Sequence, residues 1–333
     1  MPLTPLEVLS KVVEDRVASV RLTSAFTLQA LSAAGRIKTK TNTSIDWDVD
    51  MGGSASAIEP VTQDGADTAT GNVVPANLRI GRYRVKHQFP ISRIAISEAA
   101  TRAPGELQDL FNAHVDRGLN TIYRSINNLI FNGDGTAASG EFEGIIKVAD
   151  NTKPYAGISQ VTYPLWKSLD LNNNAVGRAL SKNLLLDLEE LVQVNESDYN
   201  FILTSPNTSK KYNQLFDVIA GGVATDSSMT AKAVDLGHGR RTYNGAPIYE
   251  DAMAPNGKMW FLNLNDIDLY TFKVSDNPSP MSQRETSVNA YGLNLNIAEL
   301  PSQNSAVRRF EMYVLPQLRV FNRKSIASIS DII

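Results

Sequence analysis

The chain has 333 residues, enough for one large domain or two ordinary ones, and its 42% apolar and 20% charged residues make a globular composition. Its 32 Lys and Arg against 35 Asp and Glu leave a net charge of −3, which gives no global drive toward nucleic acid or an anionic membrane. The absence of cysteine excludes disulfide frameworks, thiolate metal sites and cysteine nucleophiles.

The N-terminal segment carries Glu7, Lys11, Glu14, Asp15 and Arg16 among its apolar positions, so it is not read as a signal peptide. No apolar run approaches twenty residues, and no membrane-spanning helix or membrane partner is expected. Val8, Leu9, Val12, Val13, Val17 and Val20 are spaced loosely as in a helix, which predicts an arm over 1–31 that orders against a partner.

A lopsided charge layout follows. Between Thr41 and Leu78 there is no Lys or Arg, whereas Asp46, Asp48, Asp50, Glu59, Asp64 and Asp67 all fall inside. On one side, Ile45, Trp47, Val49 and Met51 alternate with the three aspartates. On the other, Tyr83, Val85 and Phe89 alternate with Arg82, Arg84, Lys86 and Gln88. Period-2 alternation predicts two half-exposed strands, read as the legs of a β-hairpin over 32–95 with a polar, acidic tip. The rows Asp46, Asp48, Asp50 and Arg82, Arg84, Lys86 then have two readings. They pair across the hairpin, or they face neighbouring molecules and set the register of an assembly. For Glu59, Asp64 and Asp67, which lack a local basic partner, an intermolecular contact or solvent is expected. Arg240 and Arg241 in GHGRR are one candidate partner.

From Gly105 to Ile130 the apolar residues recur at steps of three or four, from Leu107 and Leu110 through Phe111, Val115, Leu119, Ile122 and Ile126 to Leu129 and Ile130. That is a helix about 40 Å long, read as a structural spine. The NGDGT at 132–136 resembles a calcium loop, with Asp134 and Glu143 at ligand spacing, but Ala137 occupies the position that needs glycine. The favoured reading is a helix stop, with Asn132 or Gly133 left-handed. A helix is expected over 175–194, a strand over 199–204, and a further helix with Ser205 as N-cap and Pro206 in its first position. Residues 218–241 read as a mobile loop, followed by short strands separated by Gly, Pro and Asn turns. In the last strand Phe310, Met312, Val314, Leu318 and Val320 share one parity, Glu311, Gln317 and Arg319 take the other, and Pro316 marks an edge or a bulge.

Catalytic motifs are lacking: there is no Gly-x-Ser-x-Gly, no His-Glu-x-x-His and no dinucleotide fingerprint. His87 and His114 fall in a strand and a helix, where structural roles are expected, and His238 falls in the loop. No catalytic, metal or cofactor-binding residue is assigned. A metal-dependent enzyme using Asp134 and Glu143, or the 46–50 aspartates, is the competing reading.

The order of elements resembles the major capsid proteins of tailed bacteriophages, with the Hong Kong 97-type (Johnson) fold. The residues carrying the likeness are the hairpin ending in RYRVKHQFPISRIAISEAA, the helix ending in LIFNGDGT, GEFEGII, YNFILTSPNTSKKYNQL, and YNGAPIYEDAMAPNGKMWFLNLNDIDLY before a long final strand. The resemblance implies an α+β chain with an N-terminal arm (1–31), an extended β-hairpin loop (32–95), a peripheral domain holding the spine helix (96–171 and 300–333) and an axial α/β domain (172–299). It implies a non-enzymatic shell subunit forming hexamers and pentamers of one shell, without cofactors, with scaffolding, portal and cement proteins as further partners and packaged DNA contacted weakly. The virion is the expected location, with assembly in the host cytoplasm. An encapsulin-type nanocompartment shell is the alternative. Two departures stand out. No lysine lies between Thr41 and Leu78, so the isopeptide cross-link some relatives form from the loop is not expected. About thirty residues precede the hairpin, so the expectation is that a separate scaffolding protein exists, or that the fused scaffolding segment of some relatives was removed or never needed.

Overall fold

The computed structural model describes residues 8–9, 11–13, 25–51, 73–80, 83–102, 106–135, 141–220, 241–273, 285–290, 292–301 and 306–333. In chain order the elements are α1 (Phe26–Ala33), β1 (Ile37–Lys40), β2 (Ser44–Asp50), β3 (Val73–Arg79), β4 (Val85–Ser92), α2 (Arg93–Arg102) and α3 (Glu106–Asn132). There follow α4 (Ile145–Ala149), β5 (Leu169–Leu171), α5 (Lys182–Val194), β6 (Phe201–Thr204), α6 (Pro206–Ala220), β7 (Arg241–Tyr243), β8 (Ala246–Glu250) and β9 (Met259–Leu262). The last six are β10 (Ile267–Phe272), β11 (Glu285–Ala290), β12 (Leu293–Leu300), β13 (Val307–Val314), β14 (Pro316–Val320) and β15 (Ile326–Ile329). Among the described residues no helix is long and apolar enough to cross a membrane.

The spine helix α3 is the predicted rod of 27 residues. Phe111, Val115, Leu119, Ile122 and Ile126 are fully buried along one stripe. That stripe packs on a four-stranded sheet ordered β11-β12-β13-β4. Phe111 meets Phe310 edge-on at 5.4 Å, and Phe89 of β4 stacks on both Phe310 and His114. Gly118 lets helix and sheet approach: a methyl there would stand 2.8 Å from His87 Cδ2 and collide with Met312. Both histidines line this packed seam.

A six-stranded sheet, ordered β5-β15-β9-β6-β8-β7, forms the second layer system. Every residue of β6, β9 and β15 is buried, so both faces are covered, as near-continuous apolar runs require. Strand alternation divides β9 between two cores. Trp260 and Leu262 join the core of the spine helix, with Trp260 5.6 Å from Phe131, while Met259 and Phe261 join Leu184, Leu185, Leu188 and Val192 of α5. The third sheet is β1-β10-β14, and β2 with β3 forms a two-stranded ribbon.

Three local expectations change. Helix α5 begins at Lys182, where Ser181 accepts a hydrogen bond from Leu184 N, and not at 175; Asn174 and Ala175 have left-handed backbones that a helix cannot contain. After α3 the left-handed residue is Gly135, not Asn132 or Gly133. Residues 307–320 form two strands in two sheets: β13 pairs with β12 and β4, and β14 is an edge of the β10 sheet starting at Pro316. The edge reading of Pro316 therefore holds, because an edge strand tolerates the missing donor. Helix α6 starts as expected, with Thr208 N donating to Ser205 Oγ at 3.3 Å. Most of the expected loop, 221–240, lies outside the described residues. The chain's last strand, β15, pairs with β9 and β5 and so sits in the six-stranded sheet.

The start of the chain is tied to the body. Leu9, Val12 and Val13 are fully buried, and α1 packs against α3. Ala25 offers α1 no side-chain cap, and Asp251 supplies one from 224 residues away, accepting from Thr27 N at 3.0 Å and Thr27 Oγ1 at 2.7 Å. Asn127 of the spine helix completes the group: its Nδ2 donates to Asp251 Oδ2 at 2.9 Å, and its Oδ1 accepts from Leu28 N at 3.0 Å.

Candidate functional site

The ribbon β2–β3 carries the acidic row. Ile45, Trp47, Ala76 and Leu78 are buried on its inner face, with Val49 and Val74 half-buried beside them. The outer face presents Asp46, Asp48 and Asp50, and opposite them stand Asn77, Pro75 and Val73. No cation lies across from any of the three. The expected charge ladder across the hairpin is therefore absent. Its second leg is 73–79, not the strand with Arg84 and Lys86, because alternation tells which way side chains point and not which strand lies alongside. Asp46 is satisfied by neutral donors: hydrogen bonds from Ser44 and then Asn77, with Lys40 nearby, hold its carboxyl below the usual carboxylate range. Asp48 has no ion-pair partner among the described residues.

The basic strand lies elsewhere. Arg84 precedes β4, ion-pairs with Glu311 of β13 and stacks over Tyr313 with its guanidinium 3.8 Å from the ring centre. Glu311 also accepts from Gln88 Nε2 and is 1% exposed, so the predicted solvent side of β13 is closed by this group. Lys86 is exposed, opposite Tyr313 in the β4–β13 register. Arg241 opens β7 at the edge of the six-stranded sheet. Arg82, Glu59, Asp64, Asp67 and Arg240 lie outside the described residues.

Where the ribbon joins the body there is a second charged group that the sequence reading missed. Asp268 of β10 is 1% exposed and meets three cations: Lys38 Nζ at 2.9 Å, Arg36 Nη1 at 3.7 Å, and Arg319. Lys38, Lys40 and Arg319 also lie over the Tyr270 ring, at 5.9, 5.8 and 5.2 Å. Arg319 in turn reaches Trp47 at 5.8 Å and Phe321 at 5.6 Å, and Trp47 Nε1 donates to Phe321 O at 3.2 Å. Asn77 N donates to Ala156 O at 3.1 Å on the other leg. The ribbon's root thus lies on its own chain and its acidic face points away. The visible signal was alternation in RIKTK, which sets Arg36, Lys38 and Lys40 on one side of β1.

NGDGT is a packing joint. Gly144 N donates to Gly133 O at 2.8 Å, Gly133 N closes onto Leu129 O at 3.0 Å, and Asp134 bridges to Glu143. A methyl on Gly133 would stand 2.8 Å from Leu129 O and collide with Phe142 O, so the glycine serves close backbone approach. The Glu143 carboxylate takes Lys147 Nζ at 2.7 Å and Ala156 N at 3.4 Å. Among the described residues no three acid or histidine side chains converge as a metal site.

No family model and no curated protein matches the sequence. Solved structures do match by fold. The chain is similar to one in the cyanophage A-1(L) capsid asymmetric unit, with TM-score 0.75 and 23% identity, covering 95% of this chain and 94% of that one. It is similar to the capsid of a native GTA particle, with TM-score 0.56 and 12% identity over 92% and 91% of the two chains. The holo-SrpI encapsulin complex from Synechococcus elongatus PCC 7942 gives TM-score 0.54 and 10% identity over 94% and 91%. The fold of this chain is the Hong Kong 97-type capsid fold that the order of its sequence elements implies.

Proposed function

We propose that this chain is the major capsid protein of a tailed bacteriophage, assembling as pentamers and hexamers into an icosahedral head that encloses double-stranded DNA. The observation carrying this reading is the likeness to the cyanophage capsid chain along nearly the full length of both. The ribbon supports it independently. In the β2–β3 register no cation stands opposite Asp46, Asp48 or Asp50, and an outer face of this kind favours a positively charged surface on a neighbour. On a neighbouring copy Lys86, exposed on β4, is the first candidate for that partner, with Arg82, Arg240 and Arg241 as further candidates, whereas the charge of Arg84 is already met by Glu311. The tip acids Glu59, Asp64 and Asp67 extend the same contact. Symmetry repeats each such modest contact many times, which is how a shell becomes stable.

Under this reading the chain has no catalytic role, and the proposed division shifts: β5 and β15 go to the axial sheet, and β11 and β12 go to the peripheral domain with the spine helix. Scaffolding, portal and cement proteins are its further partners, in a virion assembled in the host cytoplasm. The second reading, a nanocompartment shell, rests on the encapsulin likeness and requires a cargo-docking groove.

Sedimentation velocity tests the proposal. The purified chain is expected to sediment as capsomers and particles far larger than a 36.4 kDa subunit. The charge-reversed Asp48→Lys/Asp50→Lys protein is expected to remain as small species with an unchanged unfolding midpoint. Equal assembly by both proteins would remove the acidic face from the contact.

A further inference from the structure

Two of the chain's three histidines meet where the spine helix crosses a sheet edge. His87 is on β4, the edge strand of its sheet, and packs against α3 at Gly118. His114, one turn earlier on α3, stacks on Phe89 at 5.2 Å, and His87 stands 6.1 Å from that same ring. Both imidazoles are half-buried, and among the described residues neither makes a hydrogen bond or an ion pair. An imidazolium carries two N–H donors that need acceptors, and this seam offers Phe89 and Met312 instead. The surrounding charges do not offset such a cation. On α3, Arg117 stands beside Gly118, and its charge and that of His114 both act against a proton on His87. Asp116, the only acid of α3 between 111 and 132, is half-buried and bonds to neither histidine. On β13, Met312 lies opposite His87, and Arg308, opposite Ile91, is paired with Glu299 of β12 at 3.6 Å. On β4 itself Lys86 and Gln88 alternate to the other face. Among its described side chains α2 contributes Arg93 and Glu98, both exposed.

We infer that this seam is an acid-sensitive joint: one proton on His87 sets a cation against Arg117 and His114 with no carboxylate to receive it, and the first half of α3 parts from β4. While the imidazole is neutral, packing holds the seam closed, with His114 on Phe89 and Phe111 on Phe310. Strand β4 is placed to give way, because it has a strand partner on one side only. The opened seam takes up the proton more readily than the closed one. Acid therefore favours opening, and the closed form returns as pH rises toward the ordinary histidine value of 6.5 and beyond. The joint needs no shell, so it stands or falls apart from the proposed function.

Hydrogen exchange of the unassembled full-length chain, read as protection factors at pH 7.5 and 5.5, tests this. The wild type is expected to lose protection over 85–92 and 111–122 at the lower pH while β6 and β9 keep theirs. His87→Gln is expected to remove that loss and Arg117→Gln to reduce it. Arg124→Gln takes the same charge from an exposed position about two turns further along α3, and is expected to respond to pH as the wild type does. NMR titration of His87 in the wild type gives a readout that needs no variant: the midpoint of the exchange change is expected to coincide with the titration of that imidazole. Equal losses in wild type and His87→Gln would overturn the assignment, as would a midpoint set apart from the His87 titration. A loss spread evenly through β6 and β9 would also overturn it, since acid would then be loosening the whole body and not a joint.

Discussion

Asp251 shows how much one side chain can hold. Its carboxylate, 2% exposed, receives Thr27 N, Thr27 Oγ1, Asn127 Nδ2 and Met253 N, so a single group ties α1, the spine helix and the turn after β8 together. Asp251→Ala leaves those donors buried without acceptors and is expected to cost about 3 kcal/mol, read from the urea midpoint at constant m-value. Arg323 plays the matching role with opposite charge. Fully buried, it donates to the carbonyls of Val148 at 2.7 Å, Trp166 at 3.3 Å and Asp150, capping the end of α4, and burial lowers its pKa to about 10. His87 supplies a pH dependence. Burial first, then Arg117 and His114, hold its imidazole below the ordinary value of 6.5. The unfolded chain therefore takes up that proton first, so stability falls as pH drops below about 6.5 until the folded value is passed. In unfolding midpoints at pH 7.5 and 5.5, His87→Gln is expected to lose less stability on acidification than the wild type; equal losses would contradict this.

At the scale of elements, what was legible followed from local rules. The spacing of Phe111, Val115, Leu119, Ile122 and Ile126 gave the spine helix and its buried stripe, and Ser205-Pro206 gave the start of α6. The exposure of Asp46, Asp48 and Asp50 was also legible, because it depends only on the alternation of β2. Their neighbours were not. Two strands, β3 and β4, both alternate after the hairpin tip, and only packing decides that β3 pairs with β2 while β4 joins β13 (Val307–Val314), near the other end of the chain. The Asp268 group was hidden for the same reason, since Arg36, Asp268 and Arg319 converge from three separate strands or their flanks. This group, with Trp47, fixes how the ribbon leaves the body. Trp47→Ala is expected to speed amide hydrogen exchange over 44–50 and 73–79 while leaving β6 and β9 protected. Unchanged exchange in the ribbon would show that its root is held by Asn77 and the Asp268 cations instead.

At the scale of the whole molecule, the described residues form two cores and buried joints at Asp251, Arg323 and Gly133–Gly144, with a ribbon that carries Asp46, Asp48 and Asp50 on its outer face. The outer face of that ribbon is where a partner is proposed to bind. The central claim is that the partner is another copy in a closed shell. Electron microscopy of the purified, untagged chain tests it most directly, first in negative stain and then as a three-dimensional reconstruction. The account predicts closed particles built of rings of five and six, with the Asp46, Asp48 and Asp50 face of every ribbon covered by a neighbouring subunit. Particles whose ribbons leave that face in solvent, or a chain that remains monomeric at high concentration with and without co-expressed assembly partners, would contradict it.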